Sequence, residues 1–225
     1  MVSIGMSNTS HEFSQFIRLA DADARKNPSL VMIDAARNGA AATKIAVPFG
    51  EYWRHVDSQL QRGAISAAQV QVVWLKTALA DEPQGFPEKA RLLQRMLCSI
   101  IEILGTKFPQ LKLVYLSSRI YGGYSETELS PEPIAYESAF AVKWLIEARI
   151  NKANVDRRIP WVSWGPYLWA DGSTPRNDGL TWERSDFEPD GVHPSAQGAL
   201  KVATELFEFF ESDSSARLWF FCQPS

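Results

Sequence analysis

The sequence predicts an α/β protein, a three-layer α/β/α sandwich around a mostly parallel five-stranded sheet. Three observations carry this. Short apolar runs rich in Val, Ile, Leu and Trp recur along the chain, and unbroken runs of that kind suit strands covered on both faces. Helical patterns fall between successive runs, the alternation that gives a parallel sheet. The 225 residues, 45% of them apolar, show no repeat and no low-complexity linker, so one core over residues 1–225 is the expected organisation.

The expected strands are Val2–Gly5, Leu30–Asp34, Val70–Leu75, Leu111–Ser117 and Trp161–Trp164. The first helix follows at once. "EFSQFIRLADADARK" puts Phe13, Phe16, Ile17 and Ala20 on one face. Thr9 and Glu12 fit a capping box at its start. "GEYWRHVDSQLQRG" reads as a helix stopped by Gly63, and "PEKARLLQRMLCSIIEILGTKF" as a long one begun near Pro87. In "AYESAFAVKWLIEARI", Phe140, Ala141, Trp144, Leu145 and Ala148 line one side, and Glu137 stands near the start, where an acid suits the helix dipole. The last helix, "SAQGALKVATELFEFFES", carries Leu200, Val202, Ala203, Leu206 and Phe210.

In such sheets ligands bind beyond the carboxyl ends of the strands. Two short stretches there carry chemistry. After the first strand comes "GMSNTSHEF", which places the Ser7 hydroxyl beside a helix N-terminus, whose free N–H groups favour developing negative charge. Before the last helix comes "EPDGVHPSAQG", with Asp190 and His193 three residues apart. A serine, a histidine that takes its proton and an aspartate that orients the histidine form a nucleophilic constellation defined by geometry rather than chain order. Each piece has a plainer reading: Asp-Gly is a turn signal and Ser195 is placed to cap the last helix. A metal site is a weaker alternative, because His11 and His55 fall in helical patterns away from a third ligand. The nucleophile elbow of the α/β-hydrolases does not fit either, since Thr9 stands where its second Gly belongs.

Ser7 in "IGMSNTS" and Asp190 and His193 in "DGVHPS" resemble the blocks of the SGNH (GDSL-like) hydrolase superfamily, and the likeness runs from the first strand to the last helix. It is closest to bacterial members with a "GMSN" start and stretches such as "YLSSRIYGGY" and "YESAFAVKWLIE". The resemblance implies a flavodoxin-like fold, carboxylic ester hydrolysis without metal or organic cofactor, and short-chain or acetyl esters as substrates, with carbohydrate acetyl groups as one option. It also implies an oxyanion hole made by the Ser7 N–H, a glycine after the second strand and an asparagine after the third. Gly39 in "DAARNGAAATK" matches the glycine, with Asn38 beside it, although Asn-Gly is also an ordinary turn.

The third block departs from the family. "VQVVWLKTALADEP" lacks Gly-x-Asn-Asp, and Lys76 is the nearest polar replacement, as an oxyanion donor or a solvated lysine. The departure admits a second reading, a carbohydrate- or small-molecule-binding module on a hydrolase fold with weak or lost catalysis. Arg119, after the fourth strand, is a candidate for holding an anionic or polar substrate group, or for a structural salt bridge. Tyr121 and Tyr124 follow as candidate pocket residues, and Tyr167, Trp169 and Trp182 form a candidate apolar wall, with Trp161 and Trp164 expected in the core.

A net charge of −3 and a pI near 5.7 argue against a nucleic-acid footprint. No run is long and apolar enough for a membrane span, and the N-terminus lacks the pattern of a signal peptide. The chain enters its first strand so abruptly that loss of upstream residues fits the reading, which leaves the compartment open. Cys98 is expected as a buried thiol in a helix and Cys222 in the tail, too few for a disulfide scaffold or zinc site, though one bridge between them remains an option.

Overall fold

A computed structural model describes residues 1–80, 83–129, 131–151 and 160–222. Five parallel strands, β1 (Val2–Gly5), β2 (Ile33–Asp34), β3 (Val72–Lys76), β4 (Leu113–Leu116) and β5 (Trp161–Trp164), lie in the order β2-β1-β3-β4-β5. The expected α/β fold is thereby observed. The register pairs Gly5 with Lys76 and Leu75 with Leu116, so the carboxyl ends of β1, β3 and β4 finish level.

Period-two alternation sorts each strand between two cores. Val73 and Leu75 face one core with helices α2 (Ala42–Ile45), α3 (Glu51–Arg62), α4 (Glu88–Lys107) and α5 (Ile134–Ile150). Val72 and Trp74 face the other, with α1 (Ser7–Asp21), α6 (Ala196–Ser212) and α7 (Arg217–Phe220). Phe13 and Phe16 of α1 are buried against this second core, where Phe16 meets Phe210 of α6 with ring centroids 5.5 Å apart. This packing sets the start of α1 and the start of α6 side by side at one sheet edge.

Several expectations are corrected. Helix α1 begins at Ser7 with Met6 in the extended cap position, so Thr9 and Glu12 form no capping box. Both are buried inside the helix, and the Thr9 hydroxyl turns down to donate to the Lys76 carbonyl at 2.7 Å. Only Ile33 and Asp34 of the longer second run pair, because Leu30 N–H closes a turn onto Asn27. A 3-10 turn at Ala67–Gln69 delays β3 to Val72. The buried face of α6 runs through Ala199, Val202, Ala203, Leu206 and Phe210, leaving Leu200 48% exposed. Trp161 opens the edge strand β5 and is 68% exposed rather than core. Ala148 is exposed on α5, whose apolar residues extend around much of its circumference. Glu137 does stand in the first turn of α5, and Gly63 follows the last residue of α3. Cys98 is half-buried on α4 rather than fully buried, and no disulfide joins it to exposed Cys222. Among the described residues no helix is long and apolar enough to cross a membrane.

Candidate active site

Ser7 is the first helical residue of α1, directly beyond the end of β1. The first N–H groups of a helix have no intrahelical acceptor, so the Ser7 amide is not used by the bonding within α1. Gly5 makes the tight entry possible. A Cβ there would lie 2.1 Å from the Lys76 carbonyl oxygen and 2.4 Å from Thr9 Oγ1.

The Ser7 hydroxyl lies 2.8 Å from His193 Nε2, and His193 Nδ1 lies 2.5 Å from Asp190 Oδ2. The three residues are thus hydrogen-bonded in series across 186 positions of sequence. The second Asp190 oxygen, Oδ1, accepts the backbone N–H groups of Val192 and His193 at 2.9 and 3.0 Å, the fold of an Asx turn. Burial by itself would raise the Asp190 carboxyl. The side-chain and backbone hydrogen bonds from His193 and the N–H of Val192 outweigh it and hold the group at about 2. An ionised Asp190 favours the tautomer with a proton on Nδ1, leaving Nε2 free to accept from Ser7.

The loop is fixed at several points. Glu188 N–H donates to the His193 carbonyl at 2.8 Å, and Ser195 caps α6 by accepting from Gly198 N–H at 3.3 Å. Gly191 has φ +67°, and a Cβ there would fall 1.7 Å from the Tyr124 carbonyl oxygen. Asn8, which sequence reasoning passes over, donates its buried amide to the Val192 carbonyl at 2.8 Å. It adjoins Ser7 in the "GMSN" block, so adjacency is its only signal. His11 reads from sequence only as a helical residue; its ring lies 5.7 Å from that of His193.

The turn after β2 carries Asn38 and Gly39, both exposed. Ala40 N–H closes the turn onto the Arg37 carbonyl at 3.2 Å, and Gly39 sits at φ +68° with open space where a Cβ would point. Arg37 N–H donates to the Gly5 carbonyl at 3.0 Å, tying this turn to the approach to Ser7. Tyr52 braces the junction, accepting from Gly5 N–H at 3.0 Å and donating to the Ala35 carbonyl at 3.1 Å. Asp34 adds a clamp, taking Ser3 and Ser10 hydroxyls at 2.5 Å each. Sequence reasoning misses Tyr52 and Asp34 as well, since each lies inside an ordinary helical or strand pattern.

Lys76 is neither an oxyanion donor nor a solvated lysine. It is the last residue of β3, only 1% exposed, with Nζ 2.5 and 2.6 Å from the two carboxylate oxygens of buried Glu12. Burial pulls the Lys76 ammonium down to about 8 despite the attraction of Glu12, and burial raises Glu12 despite Lys76. The short two-pronged contact is that of an ion pair. Arg119 is only 5% exposed, on the loop after β4.

The aromatic candidates divide. Trp182 is wholly buried, its indole N–H donating to the Leu168 carbonyl at 2.9 Å, so it is core and not a wall of the site. Tyr121, Tyr124, Tyr167 and Trp169 are half-buried. Tyr121 stands against Tyr124 and Trp169 at 5.2 and 6.5 Å between centroids, and Trp169 against Tyr136 at 4.7 Å. Tyr167 and Trp164 line a cavity of about 260 Å³ with Tyr136, Ala139, Phe140 and Lys143. Trp164 is therefore partly a pocket residue. Among the described residues no group of three or more His, Cys, Asp or Glu is placed to hold a metal ion.

Comparison with solved structures places the chain beside a carbohydrate esterase family 3 protein from Talaromyces cellulolyticus, with a TM-score of 0.53 and 14% identity over 95% of this chain and all of that one. An extracellular lipase from Streptomyces rimosus is matched with a TM-score of 0.43 and 14% identity over 91% of this chain and 98% of that one. No protein-family model and no curated protein matches the sequence. At such identity the first likeness speaks for fold, and it bears out the SGNH resemblance at that level.

Proposed function

We propose that the protein is a serine ester hydrolase. The observation that carries this reading is the unbroken series from Ser7 Oγ to His193 Nε2 at 2.8 Å and from His193 Nδ1 to Asp190 Oδ2 at 2.5 Å. Ser7 Oγ attacks the ester carbonyl carbon while His193 Nε2 takes its proton. Asp190 holds the imidazole and stabilises the imidazolium that results. The carbonyl oxygen becomes an oxyanion, met by the Ser7 N–H at the start of α1 and by the N–H of Gly39 in the exposed turn after β2. The exposed Asn38 amide is available beside it.

His193 then protonates the leaving alcohol, giving an acyl-serine. Water attacks it with His193 again as base, and the acid departs. The cycle draws only on these side chains and water. Short-chain or acetyl esters are the proposed substrates, with acetylated carbohydrate as the narrower option. Tyr121, Tyr167 and Trp169 supply apolar faces toward the substrate side of the fold, and Arg119 a positive charge.

The test is hydrolysis of p-nitrophenyl acetate by the parent beside Ser7→Ala and His193→Ala, with folding checked by circular dichroism. Turnover that collapses in both variants supports the constellation. Equal rates in all three proteins overturn it.

A further inference from the structure

Arg119 is a buried cation whose neighbourhood leaves its charge without a close counterion. Its Nε is shielded from solvent and has no hydrogen-bond partner among the described residues, and no carboxylate there lies within ion-pair distance of its guanidinium. A buried guanidinium left so is costly, and persistent cases call for an explanation in ligand or function.

Among the described residues, the acids near enough to influence Arg119 are Glu12 and Glu132. Both are committed elsewhere. Glu12 holds Lys76 with both oxygens. Glu132 accepts the Gly122 N–H and the Trp169 indole on one oxygen, at 2.9 and 2.7 Å, and the Tyr136 N–H on the other at 3.0 Å. Lys76 adds repulsion rather than compensation.

Strand register fixes where this cation stands. Gly5 pairs with Lys76, and Leu75 with Leu116, so Ser117 is level with Gly5. Ser7 and Arg119 are each two residues beyond that level, on strands separated by β3 alone. Two strand spacings put their backbones about 10 Å apart. The Arg119 loop also meets the histidine loop, since Glu126 N–H donates to the Asp190 carbonyl at 3.1 Å.

We infer that Arg119 recognises a carboxylate carried by the substrate, so that the preferred esters have an acyl part ending in an acid a few carbons from the scissile carbonyl. One planar guanidinium offers one charge and a two-pronged fork, which matches a carboxylate in both charge and shape. This inference rests on the ester-hydrolase reading and names its substrate class.

The experiment compares p-nitrophenyl hydrogen glutarate with p-nitrophenyl pentanoate, its neutral counterpart of equal chain length, each corrected for spontaneous hydrolysis. The parent is expected to favour the anionic ester by about tenfold or more in kcat/KM, the scale of one charge-assisted contact. In Arg119→Met the preference disappears, and Arg119→Lys restores part of it. Independently of turnover, calorimetric titration of glutarate into the Ser7→Ala protein gives binding that weakens at least about tenfold when Arg119→Met is added. A parent that prefers the neutral ester and, titrated itself, does not bind glutarate overturns the inference, and this result needs no variant to fold. Binding of glutarate through Arg119 without hydrolysis of either ester sinks the hydrolase reading and leaves the acid site standing.

Discussion

The Asn8 side-chain amide donates to the Val192 carbonyl at 2.8 Å, joining the helix that begins at Ser7 to the loop that carries Asp190 and His193. Both groups are buried, so the bond sets the separation of two segments 184 residues apart in sequence. Asn8→Ala leaves the carbonyl without its donor, at a cost of about 1–3 kcal/mol in stability. Because this bond helps hold the histidine loop against the start of α1, kcat on p-nitrophenyl acetate should fall about tenfold or more while KM stays near the parent value. A variant that loses stability but keeps kcat, assayed well below its melting temperature, assigns Asn8 a purely structural role.

Asp190 links the site to acid stability. Its folded value of about 2 lies below the ordinary 3.8, so the folded state holds fewer protons than the unfolded chain between those values. Its contribution is therefore complete above about pH 4 to 5 and drains away as pH falls through 2. Urea titrations of the parent and Asp190→Asn should show a difference in stability at pH 5 that narrows toward pH 2. At neutral pH the same variant should lose about 10³- to 10⁴-fold in kcat, because the amide no longer enforces the Nδ1–H tautomer. A difference in stability that widens on acidification contradicts an Asp190 carboxyl held below its ordinary value by His193.

Much of the arrangement is legible from residue patterns. Apolar runs mark β1 and β5 to the residue, because nothing competes with them locally. Ser7, Asp190 and His193 are legible because each adjoins a strand end or helix start that the pattern places at one sheet edge. Lys76 is misread for a physical reason. A lysine at a strand end looks solvated unless the helix that covers it is known to aim an acid at it, and the spacing of Glu12 from Thr9 points to a cap instead. Trp182 is misread similarly, since loop composition does not tell which aromatic ring the chain folds inward. Asn8 and Tyr52 act through backbone groups distant in sequence, and such partners leave no local pattern.

Glu12 and Lys76 form a buried pair, and among the described residues Glu12 is the carboxylate that meets the charge at Nζ. Removing one member strands the other in the interior, so Glu12→Leu or Lys76→Met should each destabilise the fold by about 3–5 kcal/mol. Replacing both by apolar residues of similar volume removes the desolvation penalty along with the attraction. Glu12→Leu with Lys76→Met should therefore cost less than the sum of the single changes. Denaturant unfolding of the four proteins measures the coupling, and strict additivity refutes an interacting pair.

Gly39 and Gly191 both adopt left-handed conformations, at φ +68° and +67°, yet they differ in what surrounds them. At Gly39 an added Cβ meets open space, so Gly39→Ala carries only the conformational penalty of about 1–2 kcal/mol. At Gly191 the same Cβ would lie 1.7 Å from the Tyr124 carbonyl, a backbone atom that cannot swing aside as a flexible side chain would. Gly191→Ala must displace the loop holding Asp190, adding a steric cost and moving His193 away from Ser7. The expected result is a modest drop in melting temperature for Gly39→Ala and a larger one for Gly191→Ala. The kinetic readout separates them further. A displaced His193 slows formation and breakdown of the acyl-serine alike, so Gly191→Ala should lower kcat and kcat/KM together with p-nitrophenyl acetate. Gly39→Ala keeps the base in place and perturbs only the oxyanion donor, so its loss should appear in kcat with the pH profile unchanged. Equal stability and equal kinetics in the two variants contradict the contrast between an open turn and a crowded one.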